Sequence, residues 1–117
     1  MSTSGNDSNS GDSTNSAYAT IGKAFSENAD VIYIANGTYD EEYIAENTQY
    51  RNRGVKIFAD HAILKTLWGL QFRLADVEIH GLTVDLSDYG GDDKTAFLFL
   101  NSKAFLVDCV AIGATAA

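Results

Sequence analysis

The chain has 117 residues, with 16 acidic and 8 basic side chains, a net charge of -8, one cysteine and no proline. That length supports one core and excludes a second domain. The acidic balance argues against a nucleic-acid backbone or an anionic membrane surface as partner, and the lone Cys109 excludes an intramolecular disulfide and a cysteine-based zinc site.

Residues 2–16 are almost wholly Ser, Thr, Asn, Asp and Gly. Such a composition buries no apolar area, so a polar loop over 1–16 is expected ahead of a single domain at 17–117. Within it, Asp7-Ser8-Asn9-Ser10-Gly11-Asp12 matches a calcium loop in part, with Tyr18 where an EF-hand needs its glutamate. A solvated turn is the expectation, and no cofactor, calcium being the one ion such a loop would take. Met1 to Ser8 lacks a basic stretch followed by an apolar one, so no secretory signal is expected. Ala17, Tyr18, Ile21, Ala24 and Phe25 fall at i, i+3, i+4 and i+7, which predicts an amphipathic helix at about 17–28, capped by Thr14 or Ser16.

Strands follow. Val31-Ile32-Tyr33-Ile34 is a nearly continuous apolar run, Asn36-Gly37-Thr38-Tyr39 a tight turn, and Tyr43-Ile44-Ala45 a further short strand before a polar loop over 46–54. Val55 to Leu64 and Val77 to Leu86 alternate with a period of two, the second changing phase at Gly81, where a bend or a close backbone approach is predicted. Asp85 to Lys94 reads as a loop carrying Tyr89. Ala96 to Gly113 is apolar but interrupted by Asn101, Ser102, Lys103 and Asp108, so two strands and a turn are expected and no membrane insertion. Ile57 and Ile79 lie 22 residues apart, and Ile79 and Val107 lie 28 apart. Strands returning at such intervals without intervening helices predict an all-β solenoid of stacked coils.

Three segments carry a family resemblance: Ser4-Gly5-Asn6-Asp7-Ser8-Asn9-Ser10-Gly11, then Ala19-Thr20-Ile21-Gly22-Lys23-Ala24, then Ile32-Tyr33-Ile34-Ala35-Asn36-Gly37-Thr38-Tyr39. Together they resemble the opening of right-handed parallel β-helix proteins of the pectin-lyase-like superfamily, over about residues 4–45. The family's proline before the turn glycine is replaced here by Asn36. The resemblance implies a short right-handed parallel β-helix whose helix caps the first coil, with strands about 4.8 Å apart. Ile32, Ile34, Val55, Ile57, Val77, Ile79 and Val107 would then point inward. Lys56 would lie above Glu78 on the outer face, with Phe58, His80 and Asp108 in the next outward column.

Lyases and hydrolases that share this fold place acidic and basic side chains in an outward groove. By that resemblance Glu78, His80 and Asp108 are the candidates for a shared carbohydrate-binding groove, His80 having the chemistry of a base and the carboxylates that of acids or metal ligands. Tyr89 is the better candidate for stacking on a sugar; Trp68, near Leu67, Leu70 and Phe72, is either a core or interface residue, which is the expectation, or a stacking platform for a sugar ring. His61, after Asp60, is expected at a corner between strands. No catalytic residue and no metal ligand is assigned.

The run Ala111 to Ala117 follows an apolar strand with no polar cap, which is read as an end that another subunit or further sequence covers; in the first case Phe97, Phe99 and Phe105 supply the apolar surface. The expectation is therefore a non-catalytic structural or receptor- and glycan-binding module of a phage particle or similar surface appendage. Its partners would be copies of itself, as a trimer, a surface polysaccharide and other virion proteins, at the virion or an extracellular surface. The alternatives are the N-terminal fragment of a polysaccharide lyase or glycoside hydrolase, and a microbial surface adhesin.

Overall fold

The computed structural model describes residues 1–12, 17–44, 50–88 and 95–113. One helix, α1 (Ile21–Ser26), precedes the strands β1 (Val31–Ile34), β2 (Thr38–Asp40), β3 (Gly54–Lys65), β4 (Leu70–Arg73), β5 (Asp76–Asp85), β6 (Phe97–Leu100), β7 (Lys103–Val107) and β8 (Val110–Ile112). The fold is all-β, and the strand pairings are parallel. β1, β3, β5 and β7 lie side by side in that order, β2 and β8 flank the second halves of β3 and β5, and β4 pairs with β6 in a separate two-stranded sheet.

Period-two alternation decides which side chains face inward. In β5 Val77 and Ile79 are buried before Gly81, and Leu82 and Val84 after it. The register stacks Ile32 on Ile57, Ile57 on Ile79 and Ile79 on Leu106, and likewise Val55 on Val77 and Val77 on Ala104. The inward partner of Ile79 is thus Leu106, and the expectation for Val107 is corrected by one residue. Val107 lies opposite His80, on the outer side. Ile57 and Ile79 are fully buried, whereas Leu106 in the last strand of the row is 41% exposed.

Two corners of the structure are set by residues with positive φ. His61 (54°), Gly81 (71°) and Asp108 (53°) occupy one level, His61 and Gly81 just before the pair Ala62–Leu82, and Gly81 and Asp108 just after the pair His80–Val107. Asn52 (63°), Leu74 (57°) and Asn101 (50°) occupy another. The left-handed region costs most residues roughly 1–2 kcal/mol, and least Gly, Asn and Asp. Leu74 is the outlier and is exposed. Leu74→Asn, matching Asn52 and Asn101, is therefore expected to raise unfolding free energy by about 1 kcal/mol, read as a higher urea midpoint at unchanged slope.

The helix is shorter than the predicted 17–28, and its cap is Thr20, whose hydroxyl accepts from Lys23 N at 3.2 Å. Ala17 and Tyr18 lie ahead of it because Asp7 holds that backbone extended, its Oδ1 accepting from Ala19 N at 2.8 Å and Thr20 N at 3.0 Å, and its Oδ2 from the Thr20 hydroxyl at 2.7 Å. The C-terminus closes with Asn28 in the left-handed region (φ 59°): Ala29 N donates to Ala24 O and Asn28 N to Phe25 O, the Schellman pattern. Ile21, Ala24 and Phe25 enter the core, where Phe25 meets Tyr50 and Phe72 edge to face.

The N-terminal stretch is less free than its composition predicts. Ser2 N and Asn6 N donate to Tyr18 O and Ala17 O, and Met1 bonds along β1 through Tyr33 O and Ala35 N. Tyr43 and Ile44 are not in a strand, and Ala45 lies outside the described residues. The last apolar run forms three strands, β6, β7 and β8, where two were expected. Phe97 and Phe99 are half-buried against the core, leaving Phe105 exposed.

Candidate binding face

The outer side of β1, β3, β5 and β7 carries the residues singled out for chemistry. Because inward and outward residues alternate, the register makes columns at one strand spacing. One column runs Val31, Lys56, Glu78, Phe105, and the next Tyr33, Phe58, His80, Val107. Lys56 beside Glu78 and Phe58 beside His80 are as the sequence predicts.

Glu78 and His80 meet: His80 Nε2 lies 2.9 Å from Glu78 Oε2. A carboxylate can only accept, so Nε2 carries the hydrogen. The imidazole stacks on Phe58 at 5.0 Å between ring centres, Phe58 stacks on Tyr33 at 5.6 Å, and the edge of Phe105 approaches His80 at 6.2 Å. A carboxylate-oriented imidazole is the pairing a general base uses. The same ring lies between Phe58 and Phe105, as one rung of an aromatic row.

Asp108 does not join them. It sits at the positive-φ corner between β7 and β8, exposed, where Val107 takes the place expected for it. Tyr89 lies outside the described residues. Trp68, expected in the core, is 50% exposed. His61 is at the predicted corner, exposed, with Nδ1 3.2 Å from Asp60 Oδ1.

Below the ladder a groove of about 490 Å³ crosses all four strands. Its charged side chains come one or two from each level: Asp30, Lys56, Asp76 with Glu78, then Lys103, with the Phe105 ring at the end. Sequence reasoning missed Asp30, Asp76 and Lys103. The signal was there, since Gly54, Asp76 and Lys103 share one register level with spacings close to those of the inward residues. A larger cavity, about 820 Å³, lies between the N-terminal stretch and β1, lined by Met1, Tyr18, Tyr33 and Asp60 among others.

Two carboxylates away from this face are engaged at the start of α1. Burial pushes Glu41 above the ordinary carboxylate range, although Ile21 N and Gly22 N donate to it at 2.8 and 3.2 Å. Burial also acts on Asp7, but the Thr20 hydroxyl and the Ala19 and Thr20 amides outweigh it and hold Asp7 below its usual value. Asp7 thus accepts three hydrogen bonds from the segment that leads into α1. Among the described residues, no group of three or more His, Cys, Asp or Glu is placed to hold a metal ion.

No protein family, no curated protein and no solved structure matches the chain.

Proposed function

We propose that the chain is a short right-handed parallel β-helix, capped by α1, that serves as a non-catalytic glycan-binding module of a phage particle or a similar surface appendage. What supports the architecture is the recurrence of parallel strands in one register, with matching positive-φ corners on successive levels. The observation that carries the binding role is the groove. Its charges are spread one level at a time across four strands, which suits a polymer whose repeats run across the strands, whereas catalysis needs groups converging on one bond.

Exposed Leu106, Val110 and Ile112 on β7 and β8, outside the groove, support a further element of the proposal, burial of that surface in a trimer. Two measurements test the reading. Calorimetry with acidic and neutral surface polysaccharides should show binding to the parent chain and a loss of roughly a hundredfold in Lys56→Ala with Lys103→Ala, each charged hydrogen bond contributing on the order of 1.5 kcal/mol. Light scattering should give a trimer. A monomer that binds no polysaccharide would overturn the proposal.

The Glu78–His80 contact favours one second reading, a fragment of a polysaccharide lyase or glycoside hydrolase. That reading requires release of unsaturated or reducing ends from such polysaccharides, lost in His80→Ala.

A further inference from the structure

β1 ends the row of four strands, with β3 along one edge of it. Lys56 N donates to Asp30 O at 2.9 Å, so with Val31 level with Lys56 the amides and carbonyls of Ile32 and Ile34 face β3. Those of Val31, Tyr33 and Ala35 face the other way. Met1 takes part of that outer edge, its N donating to Tyr33 O at 2.9 Å and its O accepting from Ala35 N at 3.0 Å. Val31 N, Val31 O and Tyr33 N are left, and among the described residues none of the three has a hydrogen-bond partner.

Consecutive free groups on a strand edge are what an added strand bonds to. There is room for one. The cavity of about 820 Å³ has β1 itself, from Val31 to Ala35, as one wall and the N-terminal stretch as another.

An extended segment entering there would alternate as any strand does, in either direction. Its residue level with Ile32 points inward, where Ala17, Ala24 and Ala29 line the cavity. Three small side chains leave that place to a large apolar one. Its residues beside Val31 and Tyr33 point outward. Phe58 stacks on one face of the Tyr33 ring at 5.6 Å, so the face turned to the open edge is bare, and the ring is 70% exposed.

The charges choose the segment. Asp60, two residues after Phe58 on the outward side of β3, lines the cavity together with Asp12, and among the described residues no basic side chain does. Lys23, over the Tyr18 ring at 5.8 Å, is bonded to Glu27 at 2.7 Å. An open aromatic face beside carboxylates suits a cation.

We propose that the open edge of β1 is a docking site for a partner protein, which adds an extended basic segment as a further strand, with a large apolar side chain inward and lysine or arginine outward. The site does not depend on what occupies the groove.

The test titrates the isotope-labelled full chain with a pentapeptide, blocked at both ends, in which lysines alternate with leucines, and with its counterpart carrying glutamate for lysine. Amide hydrogen exchange reads the contact, because only the edge groups change partner. The lysine peptide at saturation should slow exchange about tenfold at Val31 and Tyr33 and leave Ile32 and Ile34, already bonded to β3, unchanged. The glutamate peptide should bind about tenfold more weakly. Asp12→Lys with Asp60→Lys, both exposed positions, should weaken the lysine peptide about tenfold, and Tyr33→Ala several-fold. If the lysine peptide does not bind, or binds without slowing exchange at Tyr33, the inference is overturned. Equal binding of the two peptides would overturn it too, by removing the basic partner. Protection of Tyr33 that rises with protein concentration in the absence of peptide would overturn it in favour of a second copy of the chain at this edge.

Discussion

Gly81→Val is expected to cost roughly 3–5 kcal/mol, a large part of the stability of a domain this size. Two causes add. Gly81 has φ 71°, a conformation a β-branched residue resists, and a Cβ there would fall 2.3 Å from Ala59 O of the neighbouring strand. Neither atom can yield cheaply, because Ala59 and Gly81 sit on strands already locked on either side by the Phe58–His80 and Ala62–Leu82 pairs. Gly81→Asn separates the causes: asparagine tolerates the left-handed region, so what remains is the collision. Urea unfolding of the two variants should rank asparagine between glycine and valine. A valine variant within 1 kcal/mol of the parent would mean that the corner bends freely.

Phe72→Ala is expected to cost about 3–5 kcal/mol for a different reason. Phe72 is 1% exposed and is the hub of the internal aromatic group, with Phe25 at 5.6 Å, Tyr50 at 6.5 Å and Phe99 at 5.9 Å between ring centres. It joins α1 to the β4–β6 sheet, so the cavity left behind would loosen the helix as well as the sheet. Phe58→Ala on the outer ladder is the control. Its ring is half exposed, and losing its stacking on Tyr33 and His80 should cost about 1 kcal/mol. Equal losses in the two variants would contradict the division into an inner and an outer aromatic row.

The inward row was legible where the pattern has one solution. In Val55-Lys56-Ile57 and Val77-Glu78-Ile79 a charge separates two aliphatics, so phase and register follow at once. Phe105-Leu106-Val107 has apolar residues in both phases, and pattern alone does not choose between Leu106 and Val107. Matching the corners would have decided it: setting Asp108 level with Gly81 and His61 puts Leu106 on Ile79. The misplacement of Asp108 in the groove came from that single step.

Other differences lie beyond what local pattern carries. Ala17 and Tyr18 continue the helical spacing, but Asp7, ten or more residues earlier, captures the amides of Ala19 and Thr20 and starts the helix at Ile21. The usual first-turn glutamate of a capping box is absent, with Lys23 in its place, and Glu41 bonds the first amides from a distant segment instead. Trp68 reads as core among Leu67, Leu70 and Phe72, yet the turn at Gly69 carries it outward. The groove's Asp76 and Lys103 were readable only after the register was known.

The parallel arrangement also governs the order in which this chain can organise itself. Among the described residues every ladder joins segments separated by twenty or more residues and none is a hairpin that could act as a local seed, so the earliest ladder to form must close a long loop with little return. The β3–β5 ladder, the most extensive in the structure, is the natural nucleus. Once it forms, β1 and β7 can each be added to a ready template, and assembly spreads outward in both directions from the centre of the chain.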